Sequence, residues 1–271
     1  MKLGFLLLTL LLFLVGCANF DNTNLQSAKP LPAGERRLSW HVAQTVNYIP
    51  LVSAQSDSDT TIVESEDASI GIANRPKLTI GLGYGMELSG TLGVYLGSEY
   101  SAVSPGGPSF SLAPAAMLKL QVKKSFLLDD RYYLAVAPTY TLNNGVYKSN
   151  HTARKFSITG WEIPVIYTKV IPNAEGNHSH SFTIRYAQAE LKSELKASTS
   201  ELFMQIIYEQ PNHTMYRSAF IYTFGYEKAK KRRYFDAGLE FIWVSGTDSV
   251  ALIPIFGMSW DIGGMKALPW K

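Results

Sequence analysis

Hydrophobic and polar residues alternate along most of the chain beyond Arg36, with the period of two that β-strands produce. In the clearest stretch, residues 78–85, Leu78, Ile80 and Leu82 alternate with a threonine and glycines. About ten segments of roughly 9 to 15 residues share this alternation and are separated by stretches rich in turn-forming residues. The pattern predicts an all-β protein with antiparallel strands.

Aromatic residues lie at the ends of some apolar rows. The row in residues 132–140 begins with Tyr132 and ends with Tyr140, and transmembrane barrels place aromatic girdles in this way at their two interfaces. We therefore expect the apolar rows to face lipid. The other alternating rows lie in residues 118–122, 161–167, 182–186, 220–226 and 235–243, whereas the last expected strand, residues 250–262, is apolar on both faces.

The connections predict a hairpin meander. We expect tight turns at 86–89 and 128–131, and long polar loops at 50–76, 98–110 and 142–154. Short and long connections alternate in this half, as they do in an antiparallel up-and-down transmembrane β-barrel.

Strand number depends on residues 188–212. That region could form a short helix, at 189–191 and 194–195, and a strand at 202–208, and we interpret it mainly as a loop excursion. About ten strands return the C-terminus to the side of the N-terminus, and twelve remain possible.

The N-terminus has the layout of a secretory signal. Lys2 precedes an apolar run over residues 3–15, and the small residue Gly16 follows. The run is shorter than the roughly 20 residues that a transmembrane helix needs. We therefore assign residues 1–16 to a signal peptide that is removed.

The residues Leu14, Val15, Gly16 and Cys17 resemble the lipobox of bacterial lipoproteins. This resemblance implies a diacylglycerol thioether on Cys17, cleavage before it, and acylation of its new amino group by a fatty acid such as palmitate. Ala18 stands where an aspartate would retain such a protein, so the resemblance implies lipid anchoring in the outer membrane.

Two further segments follow from these boundaries. Residues 17–34 lack periodicity and are rich in Asn, Ser, Pro and Gly, which predicts a lipidated cysteine on a flexible tether. Residues 35–271 form the barrel domain. Within it, residues 76–85 (PKLTIGLGYG) and 90–94 (GTLGV) resemble small outer-membrane barrel families, which implies the same location.

Strand parity assigns the charges to the barrel interior, if the apolar rows face lipid. A charge alone in a poorly solvated interior is costly, so we expect a network of opposite charges. Near balance of the two signs predicts a plugged barrel, because a wide pore would show a ring of one sign. The predicted network consists of Lys119, Lys123, Glu162, Arg185, Arg217, Asp236 and Glu240.

No motif predicts catalysis, a cofactor or a metal site. His178 and His180 have no carboxylate or thiolate at ligand spacing, so we expect a solvated turn there. The basic run from Lys228 to Arg233 fits a solvated hairpin turn and equally a contact with lipid phosphates. A net charge of +3, with 17% charged residues, does not suggest nucleic-acid binding.

These observations favour a monomeric outer-membrane lipoprotein barrel with a structural, surface-interaction or small-solute role. Outer-membrane lipid is the expected partner, and no protein partner is indicated. One alternative is a lipid-anchored, lipocalin-like carrier that faces the periplasm, whose apolar rows would line a ligand cavity. A second alternative is a barrel hydrolase with a His beside a Ser or carboxylate, although we expect no enzyme.

Overall fold

The computed structural model describes residues 24–49, 67–97, 115–148, 152–198, 205–209, 213–228, 231–245 and 250–265. The predicted signal peptide and Cys17 lie outside the described residues. The strands are β1 (Arg36–Ile49), β2 (Asp67–Gly83), β3 (Met86–Gly97), β4 (Ala115–Asp129), β5 (Tyr132–Val136), β6 (Thr139–Lys148), β7 (Thr152–Ile171), β8 (Asn177–Ser198), β9 (Gln205–Glu209), β10 (His213–Lys228), β11 (Lys231–Val244) and β12 (Val250–Met265).

The strands form one closed antiparallel sheet, because β1 pairs with β2 on one side and with β12 on the other. The twelve described strands fill ten positions around the barrel. Both β5 and β6 lie between β4 and β7. The strand β9 pairs with β8 directly beyond the residues of β8 that pair with β10. The predicted up-and-down barrel of about ten strands is confirmed.

Proline divides the position that β5 and β6 share. Pro138 has no N–H to donate to a neighbouring strand, so the ladder is interrupted there. The break still leaves hydrogen bonds to both sides: Val122 N donates to Pro138 O at 3.1 Å, and Ala137 N donates to Pro164 O at 3.0 Å. Residues 132–140 therefore occupy a single strand position in the barrel, and the predicted apolar row faces outward.

The predicted helix and loop at 188–212 are wrong over residues 188–198. The strand β8 continues to Ser198, and its pairing with β7 runs through Ala197. Period two persists there, since Ala189 and Leu191 are buried while Glu190 is exposed. Alternation along a sheet with a neighbour on each side outweighs helix propensity.

Several predicted connections also have different bounds. Residues 86–89 begin β3, and the turn is Tyr84 and Gly85, which both have positive φ. The predicted loop 50–76 is strand from Asp67 onward, and most of 142–154 belongs to β6 and β7. The turn predicted at 128–131 agrees, because β4 ends at Asp129 and β5 begins at Tyr132.

The barrel has two distinct ends. We call the end where β1 begins and β12 ends the terminal end, and its described connections are residues 84–85, 130–131 and 172–176. The opposite end, which we call the loop end, is where β1, β3, β6, β8 and β11 end. Among the described residues, no helix has both the length and the apolar character to span a bilayer.

Side chains alternate between outside and inside along the strands. On β11, Phe235, Leu239 and Trp243 face outward and are between 44% and 46% exposed, whereas Asp236 and Glu240 face inward and are at most 4% exposed. Apolar side chains thus cover the outside while polar and charged ones fill the inside. The same outward apolar rows include Leu120, Ile163, Ile184, Phe220, Leu252 and Phe256.

This polarity predicts the effect of a charge on the outside. Leu239 is the middle residue of the outward row between Phe235 and Trp243, so Leu239→Arg places a cation near the centre of the apolar band. We expect it to lower the free energy of unfolding from phospholipid vesicles by about 2–4 kcal/mol. Urea titration followed by tryptophan fluorescence measures this value.

The matched control is Val250→Arg at the loop end of β12, where the expected loss is about 0–1 kcal/mol. Equal effects of the two substitutions would show that the outward rows do not face a bilayer.

Candidate functional site: the barrel interior

The seven charged residues predicted for the interior are all buried. The exposed fractions of their side chains and backbone range from 1% for Glu240 to 7% for Lys119. They project from β4, β7, β8, β10 and β11, so the cluster spans the interior between strands that are distant in sequence. The group is Lys119, Lys123, Glu162, Arg185, Arg217, Asp236 and Glu240.

Five of these residues form one connected chain of ion pairs. Lys119 Nζ lies 2.9 Å from Glu162 Oε1, and Arg185 Nη1 lies 3.9 Å from Glu162 Oε2. Glu240 Oε1 accepts from Arg185 Nη2 at 2.7 Å and lies 2.8 Å from Arg217 Nη2. The two carboxylates therefore alternate with the three cations, so every charge in the chain adjoins an opposite one.

The other two predicted residues have different partners. Lys123 Nζ lies 2.9 Å from Glu87 Oε2 and donates to the Ser27 carbonyl at 2.9 Å. Asp236 Oδ1 accepts from Thr223 Oγ1 at 2.7 Å. The other oxygen of Asp236, Oδ2, accepts from the backbone N–H groups of residues 24 and 25. Both residues thus bind the chain segment that precedes β1.

That segment, residues 24–34, lies inside the barrel and we call it the lumen segment. Leu25, Ser27 and Ala28 are buried, with exposed fractions of 4% or less. Ala28 packs against Ala135, Ala137 and Ile166 of the barrel wall. The predicted flexible tether of residues 17–34 is therefore wrong over its described part. Lack of periodicity indicated a linker, but here it reflects an irregular chain enclosed by strands.

Polar contacts hold the lumen segment along its length. Asn24 Nδ2 donates to Thr183 Oγ1 at 2.9 Å, and Ala28 N donates to Thr168 Oγ1 at 2.8 Å. The N–H of Leu31 donates to the Glu87 carboxylate. These bonds use backbone and side-chain groups that would otherwise be buried without partners, which would cost about 1–3 kcal/mol each.

The lumen segment leaves the barrel at the terminal end. Lys29 Nζ lies 3.2 Å from Glu227 Oε2. Gly34 N donates to Gly81 O at 2.8 Å, and Gly81 N donates to Glu35 O at 2.9 Å. A Cβ on Gly81 would overlap the carbonyl oxygen of Pro32, so glycine permits this close approach of two backbones.

Further charged residues inside the barrel lie outside the predicted network. Arg37 forms ion pairs with Glu35 and with Asp261, the latter at 3.3 Å. Arg232 Nε lies 3.2 Å from Glu227 Oε1. Parity along the strands is the signal that would identify them, but the sequence pattern predicts a turn for the basic run and a domain boundary directly before β1. The residues outside the predicted network are the buried Arg37, Arg75, Lys77, Glu87 and Arg232 and the partly buried Glu227 and Asp261.

The histidines occupy separate places. His41 Nε2 lies 3.0 Å from Ser39 Oγ in the interior, and His213 Nδ1 lies 3.0 Å from the carbonyl of Ser245 at the loop end. His178 and His180 belong to β8 rather than to the predicted turn, and their rings contact aromatic residues of β10. Within the described residues, no three His, Cys, Asp or Glu side chains are grouped as metal ligands.

The inside of this barrel is charged and its outside is apolar. That polarity is the reverse of a soluble carrier and is the arrangement of barrels that cross lipid. This chain folds as an outer-membrane β-barrel. The lipocalin-like alternative required the aromatic rows to line a cavity, and they face outward instead, with Phe182 at 58% and Phe220 at 57% exposure.

Comparisons with known proteins return solved structures of low similarity. No family model matches the chain, and no curated protein matches it significantly. The outer-membrane protease OmpT from Escherichia coli has 10% identity and a TM-score of 0.44, covering 84% of this chain and 92% of that one. The β domain of the Bordetella autotransporter BrkA has 9% identity and a TM-score of 0.44, covering 84% and 98%.

A third solved structure is the translocator domain of the autotransporter NalP from Neisseria meningitidis. It has 10% identity and a TM-score of 0.40, covering 85% of this chain and 89% of that one. At these identities and TM-scores, no activity passes from those proteins to this chain.

The ion-pair chain predicts a large effect at the carboxylate that two buried cations share. Glu240→Ala leaves Arg185 and Arg217 buried without their shared carboxylate, which costs about 3–5 kcal/mol in the free energy of unfolding. Chemical denaturation in vesicles measures the loss. The control is Glu190→Ala on the exposed face of β8, where the expected change is within about 0.5 kcal/mol. Equal losses would mean that the network does not stabilise the barrel.

The lumen segment predicts a glycine requirement. In a Cys17→Ser background, Ser27→Cys supplies the sole thiol of the chain, and Ser27 is 4% exposed. Adding Gly81→Ala forces the Pro32 carbonyl away, at a cost of about 1–3 kcal/mol, so maleimide labelling should become roughly 5- to 150-fold faster.

The control substitution is Gly90→Ala, whose Cβ would meet only the Leu120 side chain at 3.9 Å. It should leave the labelling rate unchanged. Fast labelling of the parent protein itself would refute the enclosed position of the lumen segment.

Proposed function

We propose that this protein is a monomeric outer-membrane lipoprotein. Its barrel interior is blocked to solutes, and its loop-end connections lie at the cell surface. Its role is then structural or a surface interaction, and transport through the barrel is the secondary candidate. The observation that carries the proposal is the filled interior: ion pairs cross it, and the lumen segment occupies it near the terminal end.

Two sets of contacts, at different depths in the barrel, support a blocked interior. Near the terminal end, the lumen segment contacts strands from several sides, through Lys77, Thr168 and Asp236 among others. Beyond it, the Arg185 and Arg217 guanidinium groups meet at Glu240. Charges that neutralise one another in this way offer no ring of one sign to attract a permeating ion.

The lipid anchor is compatible with the position of the lumen segment. The chain from Cys17 to Asn24 reaches at most about 25 Å when extended. Asn24 contacts Thr183, six residues into β8, which is about 15 Å from the terminal end for strands tilted by roughly 40°. An acylated Cys17 would therefore lie in the same membrane as the barrel.

Fractionation of full-length protein and Cys17→Ser in a Gram-negative host tests the proposal. We expect incorporation of labelled palmitate into the wild type alone, since Cys17 is the only cysteine. Both proteins should remain in the outer membrane, and both should migrate faster on a gel without heating because the folded barrel is compact. Release of Cys17→Ser as a soluble periplasmic protein would overturn barrel insertion, and palmitate in Cys17→Ser would overturn the anchor.

Conductance in planar bilayers separates the two roles. A blocked interior predicts that the purified wild type forms no stable channel openings. Sustained openings would favour the small-solute role and reject the blocked interior, whatever the result for the lipid anchor.

A further inference from the structure

The outward face near the terminal end carries a belt of aromatic and basic residues. Hydrogen-bond register places Tyr132 opposite Lys169, and Lys169 opposite His180. One step nearer the end, His178 lies opposite Tyr226, and Tyr226 opposite Arg233. Neighbouring strands thus bring these residues to nearly one depth. The basic belt consists of Tyr132, Lys169, His178, His180, Tyr226 and Arg233.

Charge in the belt has one sign. Lys169 and Arg233 are exposed, and the turn-flanking residues Lys228 and Lys231 add two more outward cations. The nearby carboxylate of Glu227 points inward, where it pairs with Lys29 and Arg232. In the described parts of β7, β8, β10 and β11 at this depth, no acidic side chain faces outward. Glu175 lies in the turn beyond them, and the exposed Asp129 and Asp130 lie beside Tyr132 at the β4–β5 turn.

Rings and cations are in contact within the belt. Lys169 Nζ lies 5.6 Å from the centre of the Tyr132 ring. His180 Nδ1 lies 2.6 Å from the Tyr222 hydroxyl, and the His178 ring centre lies 5.2 Å from that of Tyr226. A flat apolar ring beside a cation or hydrogen-bond donor suits a ligand with an apolar chain and an anionic head.

The belt lies at the border of the apolar band. Lys169 is two residues from the end of β7, and Arg233 is the third residue of β11. The next outward residues towards the centre are apolar, namely Tyr167 on β7, Phe182 on β8 and Phe235 on β11. Lipid headgroups lie at this border in a membrane-spanning barrel, with aromatic residues beside them.

We propose that the basic belt binds the phosphate groups of anionic phospholipid, with phosphatidylglycerol as the representative ligand. Lys169 and Arg233 contact the phosphate oxygens, while the acyl chains lie on the apolar rows beneath. A zwitterionic headgroup brings its own ammonium to this cationic surface and binds less well. Selectivity for the anionic lipid distinguishes such a site from side chains that merely extend into any headgroup layer.

Native mass spectrometry of the purified barrel tests this proposal. Protein is reconstituted in vesicles of phosphatidylethanolamine and phosphatidylglycerol, extracted in mild detergent, and analysed for the ratio of the two retained lipids. The variant is Lys169→Gln with Arg233→Gln. The matched control is Lys192→Gln, which removes an exposed outward cation near the loop end of β8.

The wild type and Lys192→Gln should retain phosphatidylglycerol preferentially. In the double variant, the ratio of retained phosphatidylglycerol to phosphatidylethanolamine should fall about 25-fold, because each cation contributes about fivefold. A wild type with no preference overturns the proposal, and so does a double variant that keeps it. Heat-modifiable gel migration verifies that each variant is folded. The lipid ratio depends neither on the acylation of Cys17 nor on whether the barrel interior is blocked.

Discussion

Closure of the sheet by the β1–β12 ladder is the constraint on which the rest of the structure depends. Lipid offers no hydrogen-bond partners, so a sheet that crosses it needs a neighbour for every strand. Closure supplies those neighbours and fixes a single inside and outside for all strands. The outside must then be apolar at membrane depth, and the charges of the ion-pair chain are directed inward. Even Pro138, which cannot donate, is accommodated because its neighbours bond around it.

Inward charges need compensation, and the barrel provides it from two sources. At Glu162 and Glu240 the partners are cations on other strands. At Asp236 and Glu87 the partners include backbone N–H groups of the lumen segment, and at Lys123 a backbone carbonyl of that segment. The lumen segment is therefore part of the electrostatic balance of the wall. Its loss would leave both signs of charge in the interior with fewer partners.

Sequence periodicity predicts the wall better than its contents. Parity assigns Lys119, Glu162 and Arg185 to the interior because each lies in a long alternating row, and all three are buried. The lumen segment has no period to detect, and several of its contacts come from backbone groups that any sequence carries. The charges of the first three strands, such as Arg75 and Glu87, escape the prediction. The sequence pattern predicts a loop and a turn at these two residues, whereas they lie in β2 and β3. A turn moved by two residues returns Glu87 to a strand and thus to the interior.

The basic run on β11 shows why local composition is a poor guide in a barrel. Consecutive residues point to opposite faces, so Arg232 enters the interior and pairs with Glu227, while Arg233 faces outward. Glu227 also holds Lys29 of the lumen segment. The Glu227 carboxylate is thereby engaged inside, and the outer surface at that depth keeps the exposed cations Lys169 and Arg233. One polar rim thus binds the lumen segment on its inner side and presents a basic surface to the membrane on its outer side.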